Sequence, residues 1–358
     1  MQAATVSQHG GSLDEVVRVA NGVVKPALRR GKGEMVVRVL ACALAPGDVR
    51  VWSGECDLMQ SPGFFPYIPG GDVCGVVEDV EPGAPFKVGD VVISMFGPSA
   101  AGPGPAGGLA EYAVVGVKRS TLKPPSLSPL EGAALASSGL TAFTAAAKIR
   151  PSDRVLVLGG AGGVGSSIVQ LARRRGASFV AATSTQRELV ASLGAHVVHD
   201  YTREEWWTLP AYKAAPFDIV FDCVGGLAGW PTCSASGAVK SASQGGRWIT
   251  IVPDEPNFHI HSVGQALGHL RPILGRAIAS RAWPPTTRVR PRYTYHLGID
   301  PVHLLGATAD AAAKGEFKVV LDSASPLPFT ADGVLKAFHL QRSKHAHGKL
   351  VVQVAPHA

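Results

Sequence analysis

The chain lacks any run of about eighteen uncharged apolar residues, the least a membrane-spanning helix uses, so none is read. It has no C-x-x-C pair, and Cys42, Cys56, Cys74, Cys223 and Cys233 are odd in number and scattered. That pattern excludes a disulfide framework and a four-cysteine zinc lobe, and it reads as reduced thiols inside a cell. There is no G-x-S-x-G elbow, although Ser166 and Ser167 follow a glycine turn, so a nucleophilic hydrolase is not indicated. No apolar signal core opens the chain, and Asp14 and Glu15 come early, against a targeting peptide. The expected location is cytoplasmic, with organelle or peripheral membrane association left open. Charge is sparse at 17%, and the net +7 is dispersed apart from short clusters such as Arg173-Arg174-Arg175. A nucleic-acid partner is therefore not favoured.

What the 358 residues do contain is apolar bulk, 46% hydrophobic, enough for two domains. The 42 glycines and 27 prolines imply many turns and a substantial β component. Short strand-like runs occupy 16–20, 35–44, 73–80, 91–96 and 110–115, separated by Gly and Pro as in a small barrel. The segment 97–108, GPSAAGPGPAGG, has only small side chains and reads as a mobile loop. The alanine-rich run 130–149 reads as two short helices broken near Ser138-Gly139. Beyond it an alternation of strand and helix begins, with strands at 154–158, 179–183, 217–223 and 248–252. A helix over 261–278, a basic proline-bearing loop, a strand at 293–298, helices at 301–314 and 331–340, and a closing strand at 349–354 follow. A β-rich start, a parallel α/β middle and a returning last strand imply two lobes with a cleft.

The stretch 154–185, RVLVLGGAGGVGSSIVQLARRRGASFVAATST, organises the rest. A short apolar run precedes Gly159, Gly160, Gly162, Gly163 and Gly165. Val164, Ile168, Leu171 and Ala172 then recur at helical spacing. Gly160, Gly162 and Gly165 fit G-x-G-x-x-G between a strand and an amphipathic helix. In that setting the glycines permit a sharp turn, a close diphosphate and tight helix–strand packing. The helix N-terminus aims free N–H groups at the phosphates. An NAD site carries an acid about twenty residues on. Here Thr183, Ser184, Thr185, Gln186 and Arg187 stand there, with no carboxylate before Glu188. Hydroxyls and a guanidinium suit the 2′-phosphate of NADPH. The bland alternative is that Ser184 and Thr185 cap the next helix and Arg187 is a solvated surface residue.

Further runs are VVRVLACALAPGDVRVWSG (36–54), IPGGDVCGVVEDV (68–80), FKVGDVV (86–92), GGLAEYAVV (107–115), EGAALASSGLTAF (131–143), LGAHVVHDY (193–201), FDIVFDCVGG (217–226) and GKLVVQV (348–354). With the glycine turn they make the chain resemble the medium-chain dehydrogenase/reductase superfamily, in its zinc-independent quinone oxidoreductase branch. Over 254–300 it looks more like the reticulon-interacting-protein-like and chloroplast-envelope quinone-reductase-like members. The resemblance implies an α/β fold: a GroES-like β-barrel domain, 1–124 completed by 319–358, and a Rossmann domain with a doubly wound parallel sheet, 125–318. NADPH would lie in the cleft.

Carried over by position, the resemblance puts Gly160, Gly162, Gly163, Val164 and Gly165 on the diphosphate. Ser184, Thr185, Arg187 and Tyr201 are implied around the 2′-phosphate. Cys223, Val224 and Ile251 are implied along the ribose and nicotinamide, with Thr141, Gly348 and Lys349 also at the cofactor. Asp48 and Trp52 are expected at the substrate. One departure is Ala45, where quinone reductases of this type often carry an asparagine in Asn-Pro-x-Asp. Another is Pro46 and Gly71-Asp72, where zinc members have a cysteine and a His-Glu pair, so no metal is expected. His345 and His347 read as solvated loop residues. Asp222 reads as a holder of turn amides, with a base as the alternative.

The implied activity is hydride transfer from NADPH to a quinone or an α,β-unsaturated carbonyl, an enone or enoyl group, without zinc. No proton donor is assigned; Tyr67, Tyr112 and Thr141 are weak candidates. A homodimer is admitted, with no interface legible. The alternative is an NADPH-binding protein with little turnover and a binding or regulatory role.

Overall fold

A computed structural model describes residues 1–55, 64–95, 107–225, 229–252, 260–281, 290–296 and 302–355. The chain divides into two compact units, residues 1–140, 299–315 and 319–358, and residues 141–298 and 316–318.

In the first unit, β1 (Ala3–Val6) and β2 (Val17–Ala20) pair antiparallel around a short helix α1 (Leu13–Val16). The sequence reading had β2 but not β1. The central strand is β3 (Glu34–Ala43), buried along most of its length and paired on both edges. Helix α2 (Pro46–Ser53) starts at a cap in which Asp48 Oδ2 accepts the Ala45 N–H at 2.7 Å. Strands β4 (Asp72–Val80), β5 (Val91–Met95), β6 (Tyr112–Gly116) and β7 (Ser120–Leu122) extend the sheet, with β6 paired to β3. Most of segment 97–108, read as a mobile loop, lies outside the described residues.

The run read as two broken helices is one helix, α3 (Pro129–Ala146). Its start is closed reciprocally: Glu131 Oε2 accepts the Ser128 N–H at 2.8 Å, and Ser128 Oγ accepts the Glu131 N–H at 3.2 Å. Ser138 does not break it, because its hydroxyl donates to the Ala134 carbonyl one turn back at 2.7 Å. Alanine, the best helix former, fills much of the remainder.

The second unit runs β8 (Arg154–Leu158), α4 (Gly165–Arg174), β9 (Phe179–Thr183), α5 (Arg187–Ser192), β10 (Val197–His199), α6 (Pro210–Ala214) and β11 (Ile219–Asp222). It continues with α7 (Trp230–Cys233), β12 (Arg247–Thr250), α8 (Val263–Ala279) and β13 (Arg292–Tyr295). The six strands are parallel in the order β10-β9-β8-β11-β12-β13. This is the doubly wound order, whose direction of winding reverses between the first and fourth strands. Trp206, Tyr212, Phe217, Trp230, Trp248 and Tyr293 fill the core on one face.

The chain then adds α9 (Leu305–Ala313), β14 (Leu327–Pro328), α10 (Ala331–Ser343) and β15 (Val351–Gln353) to the first unit. Strand β15 pairs antiparallel with β3, so the closing strand returns to the first sheet as expected. The sheet's order is β14-β15-β3-β4-β5-β7.

Candidate cofactor and active site

The glycine turn leaves β8 at the reversal of the sheet, where open α/β sheets bind ligands beyond their strand ends. Gly159 takes a left-handed φ of +80°. Its N–H donates to Thr183 Oγ1 at 3.0 Å, and the Gly160 N–H donates to the Thr183 carbonyl at 2.9 Å. The turn is thus tied to the end of β9. A Cβ on Gly165 would lie 2.1 Å from the Gly159 carbonyl oxygen, and one on Gly160 would lie 2.7 Å from Ala182 Cβ. The protein itself demands those two glycines. Gly162 differs: a Cβ there would meet only the Gly159 oxygen, at 3.4 Å. The space beside Gly162 is therefore left open by the fold, as a diphosphate approaching the backbone requires.

The other strand ends converge here. Asp222, fully buried, closes β11, and its Oδ1 accepts N–H bonds from Val224 at 3.2 Å and Gly225 at 2.8 Å. Those two bonds hold the turn amides after β11. Val224 is half exposed and stands over the turn: a Cβ on Gly159 would lie 2.7 Å from its Cγ2. The Ile251 N–H donates to the Asp222 carbonyl at 2.9 Å. Burial pushes the Cys223 thiol up, with the Asp222 charge adding to the effect, which keeps the thiol protonated. Thr141 lies buried in α3, its carbonyl accepting from Thr144 Oγ1 at 3.2 Å.

At the end of β9, Ser184 is buried, and its Oγ accepts the Gln186 N–H at 2.9 Å. Arg187 reaches out, its side chain 68% exposed, with Nη2 3.6 Å from Glu204 Oε1. Glu204 Oε2 lies 2.6 Å from His199 Nδ1, and His199 Nε2 lies 2.6 Å from the Tyr212 hydroxyl. Tyr201 is exposed nearby in sequence. Glu204 is a residue the sequence reading missed. The signal for it is the parallel pairing of β9 with β10, which sets the residues after His199 beside those after Thr183.

In the first unit, Asp72 and Lys349 form a buried ion pair at 3.2 Å. Lys349 Nζ also donates to the Leu44 carbonyl at 2.7 Å, and Ser137 Oγ donates to Asp72. The ammonium implied at the cofactor thus ties β15 to the ends of β3 and β4. Gly348 has φ +102°, and a Cβ there would lie 2.5 Å from the Val320 carbonyl oxygen, so the fold already requires that glycine. Asp48 Oδ1 accepts the Gly70 N–H at 3.1 Å, and burial pushes its carboxyl up to about 6.

Two donors nearby in this core stand out. Tyr67 Oη and Trp52 Nε1 are buried without a hydrogen-bond partner among the described residues. Burial, helped by Asp48, raises the Tyr67 hydroxyl, so it remains a donor across the working pH range. An unsatisfied buried donor costs about 1–3 kcal/mol unless a ligand uses it. Tyr112 lies on β6 with the Lys25 ammonium 3.8 Å from its ring centre. Among the described residues no group of three His, Cys, Asp or Glu side chains is placed to hold a metal ion.

Comparison with known proteins bears on this geometry. The family model for the alcohol dehydrogenase GroES-like domain matches residues 31–125, and that described as zinc-binding dehydrogenase matches 193–352. The chain is 32% identical to an NADPH-dependent alkenal/one oxidoreductase of Arabidopsis thaliana, over 99% of this chain and 80% of the relative. It is 33% identical to a 2-methylene-furan-3-one reductase of Solanum lycopersicum, over 97% and 77%. The solved quinone oxidoreductase of Coxiella burnetii superposes with a TM-score of 0.74 at 23% identity, covering 99% of both chains, and so shares the fold. The chain belongs to the medium-chain dehydrogenase/reductase superfamily, in its quinone-oxidoreductase-like branch.

Proposed function

We propose that this chain is an NADPH-dependent reductase that passes hydride to a quinone or an α,β-unsaturated carbonyl, of the enone or enoyl type, without zinc. The observation that carries the reading is the open space at Gly162 within a turn whose Gly160 and Gly165 the fold itself requires. The names of the alkenal/one, furanone and quinone relatives support the acceptor class.

Backbone N–H groups of 163–165, at the N-terminus of α4, would hold the diphosphate, while the Gly162 N–H closes the turn on the Gly159 carbonyl at 3.1 Å. Ser184 and Arg187 would meet the 2′-phosphate, with Glu204 holding the guanidinium in place beforehand. Bound NADPH supplies the hydride. Tyr67 and Trp52 offer buried N–H and O–H donors for an acceptor's oxygen, the task an amide at position 45 would otherwise serve. The test is NADPH oxidation against a panel of quinones and enones. Turnover with a conjugated acceptor is expected. Tight NADPH binding with no turnover would favour the binding-protein alternative, and faster oxidation of saturated alcohols would overturn the reductase reading.

Arg187→Ala should weaken NADPH about 10- to 100-fold and NADH little, since one charge-assisted bond to phosphate is worth about 1.5–3 kcal/mol. Isothermal titration with both cofactors measures this; equal losses would remove the phosphate role. Pro46, Gly71 and Asp72 offer one hard ligand where zinc needs several softer ones. Chelator-treated enzyme is accordingly expected to keep its activity. One zinc per chain lost together with activity would contradict that. A cytoplasmic location and a homodimer complete the proposal; the Arabidopsis relative is chloroplastic by name. No described helix is long and apolar enough to cross a membrane.

A further inference from the structure

Helix α8 carries an apolar stripe that is exposed among the described residues. Val263, Leu267, Leu270, Leu274 and Ile278 are spaced four, three, four and four residues apart, which places them on one side of a helix. Each is between 44% and 70% exposed. The helix is held to the second unit by a different side: Ile273 is buried in the aromatic core, and the Arg276 guanidinium lies 5.7 Å from the centre of the Tyr293 ring. The stripe is therefore surplus to the packing of this unit, and five large aliphatic side chains in one row are more than isolated surface exposure.

The charge of its own segment has one sign. Residues 260–296 contain no Asp or Glu. Arg271 is exposed one position on from Leu270, and Arg281, Arg290 and Arg292 are exposed at and beyond the C-terminal end of the helix. Arg281 is fixed there by N–H bonds to the Ala277 and Tyr293 carbonyls, at 2.8 and 3.0 Å. A second copy packed on the same face would bring arginines against arginines with no carboxylate from this segment between them. An anionic surface meets both features at once.

We propose that the Val263–Ile278 face of α8 docks in the plane of an anionic phospholipid bilayer, its aliphatic row entering the headgroup boundary and its arginines facing lipid phosphates. At 17 residues the helix is about 25 Å long, enough to lie along the surface, and it is not long and apolar enough to cross it. Each arginine near such a surface strengthens partitioning roughly fivefold at physiological salt. The docking is independent of the acceptor reading, because it concerns only this helix and the arginines beside it.

The test is co-sedimentation of the full-length protein with vesicles. Retention is expected on phosphatidylcholine vesicles containing phosphatidylglycerol, and not on phosphatidylcholine alone. The doubly substituted Leu270→Glu/Leu274→Glu and Arg271→Glu/Arg290→Glu proteins should each bind at least about tenfold more weakly. All four positions are exposed, so melting temperatures should match the wild type. Wild-type protein left in the supernatant with anionic vesicles would overturn the proposal, as would undiminished binding by the leucine variant. A wild-type dimer that becomes monomeric in the leucine variant would assign the stripe to a second copy instead.

Discussion

Replacing Lys349 with methionine should lower the thermal midpoint of the first unit's unfolding by roughly 10 °C, for a loss of about 3–5 kcal/mol. Asp72 and Lys349 are 2% and 6% exposed. Without the ammonium, the Asp72 carboxylate keeps only the Ser137 hydroxyl among the partners described here and sits in a core with little solvent to stabilise it. The Leu44 carbonyl loses its donor at the same time. The ends of three strands meet at this point, so the cost is felt by β15, β3 and β4 together. Asp72→Asn combined with Lys349→Met should recover part of the loss, because it removes the orphaned charge while keeping a similar volume. Scanning calorimetry on the three proteins at neutral pH measures both effects. A single variant within 1 kcal/mol or so of wild type would show that water reaches the site and that the pair is screened.

That pair marks a boundary of what the sequence could show. Asp72 and Lys349 are far apart along the chain, and no spacing rule joins them; only the return of β15 to β3 brings them together. The fingerprint unit was legible because its determinants are local. The strands 154–158 and 179–183 were read at the limits found, since an apolar run, a glycine turn and a 3.6-residue period need no distant partner. Helix α3 was misread for the opposite reason. Ser138-Gly139 is a local breaking signal, but the Ser138 hydroxyl finds its acceptor inside the helix, and tertiary burial overrides the propensity. The absence of an acid before Glu188 was read correctly along the chain, yet Glu204 reaches Arg187 across the sheet from the end of β10. In the barrel-type unit, Tyr67 could be named a candidate from its residue type. Its buried hydroxyl, without a hydrogen-bond partner among the described residues, is visible only in three dimensions.

Gly162→Val should abolish measurable NADPH binding, a loss of more than about 10³-fold, while leaving the protein folded. The two halves of that statement rest on one observation. A Cβ at Gly162 meets nothing closer than 3.4 Å within the protein, an ordinary van der Waals contact, so a side chain there starts without a clash against the turn. The volume it fills is where a diphosphate would approach the backbone N–H groups, and a branched side chain there takes away several charge-assisted bonds together. Gly165→Val is the contrasting case. Its Cβ would collide with the Gly159 carbonyl oxygen at 2.1 Å, so the turn and the start of α4 must shift, and both stability and binding should fall. Gly162→Ala is expected between wild type and the valine protein, with binding weakened and the melting temperature unchanged. Fluorescence titration with NADPH and thermal melting of each variant separate the outcomes. If Gly162→Val melts as early as Gly165→Val, the glycine serves the turn rather than a ligand. If it melts like wild type and still binds NADPH at wild-type affinity, the diphosphate does not lie at this turn, and the cofactor assignment of the whole strand–glycine–helix unit falls with it.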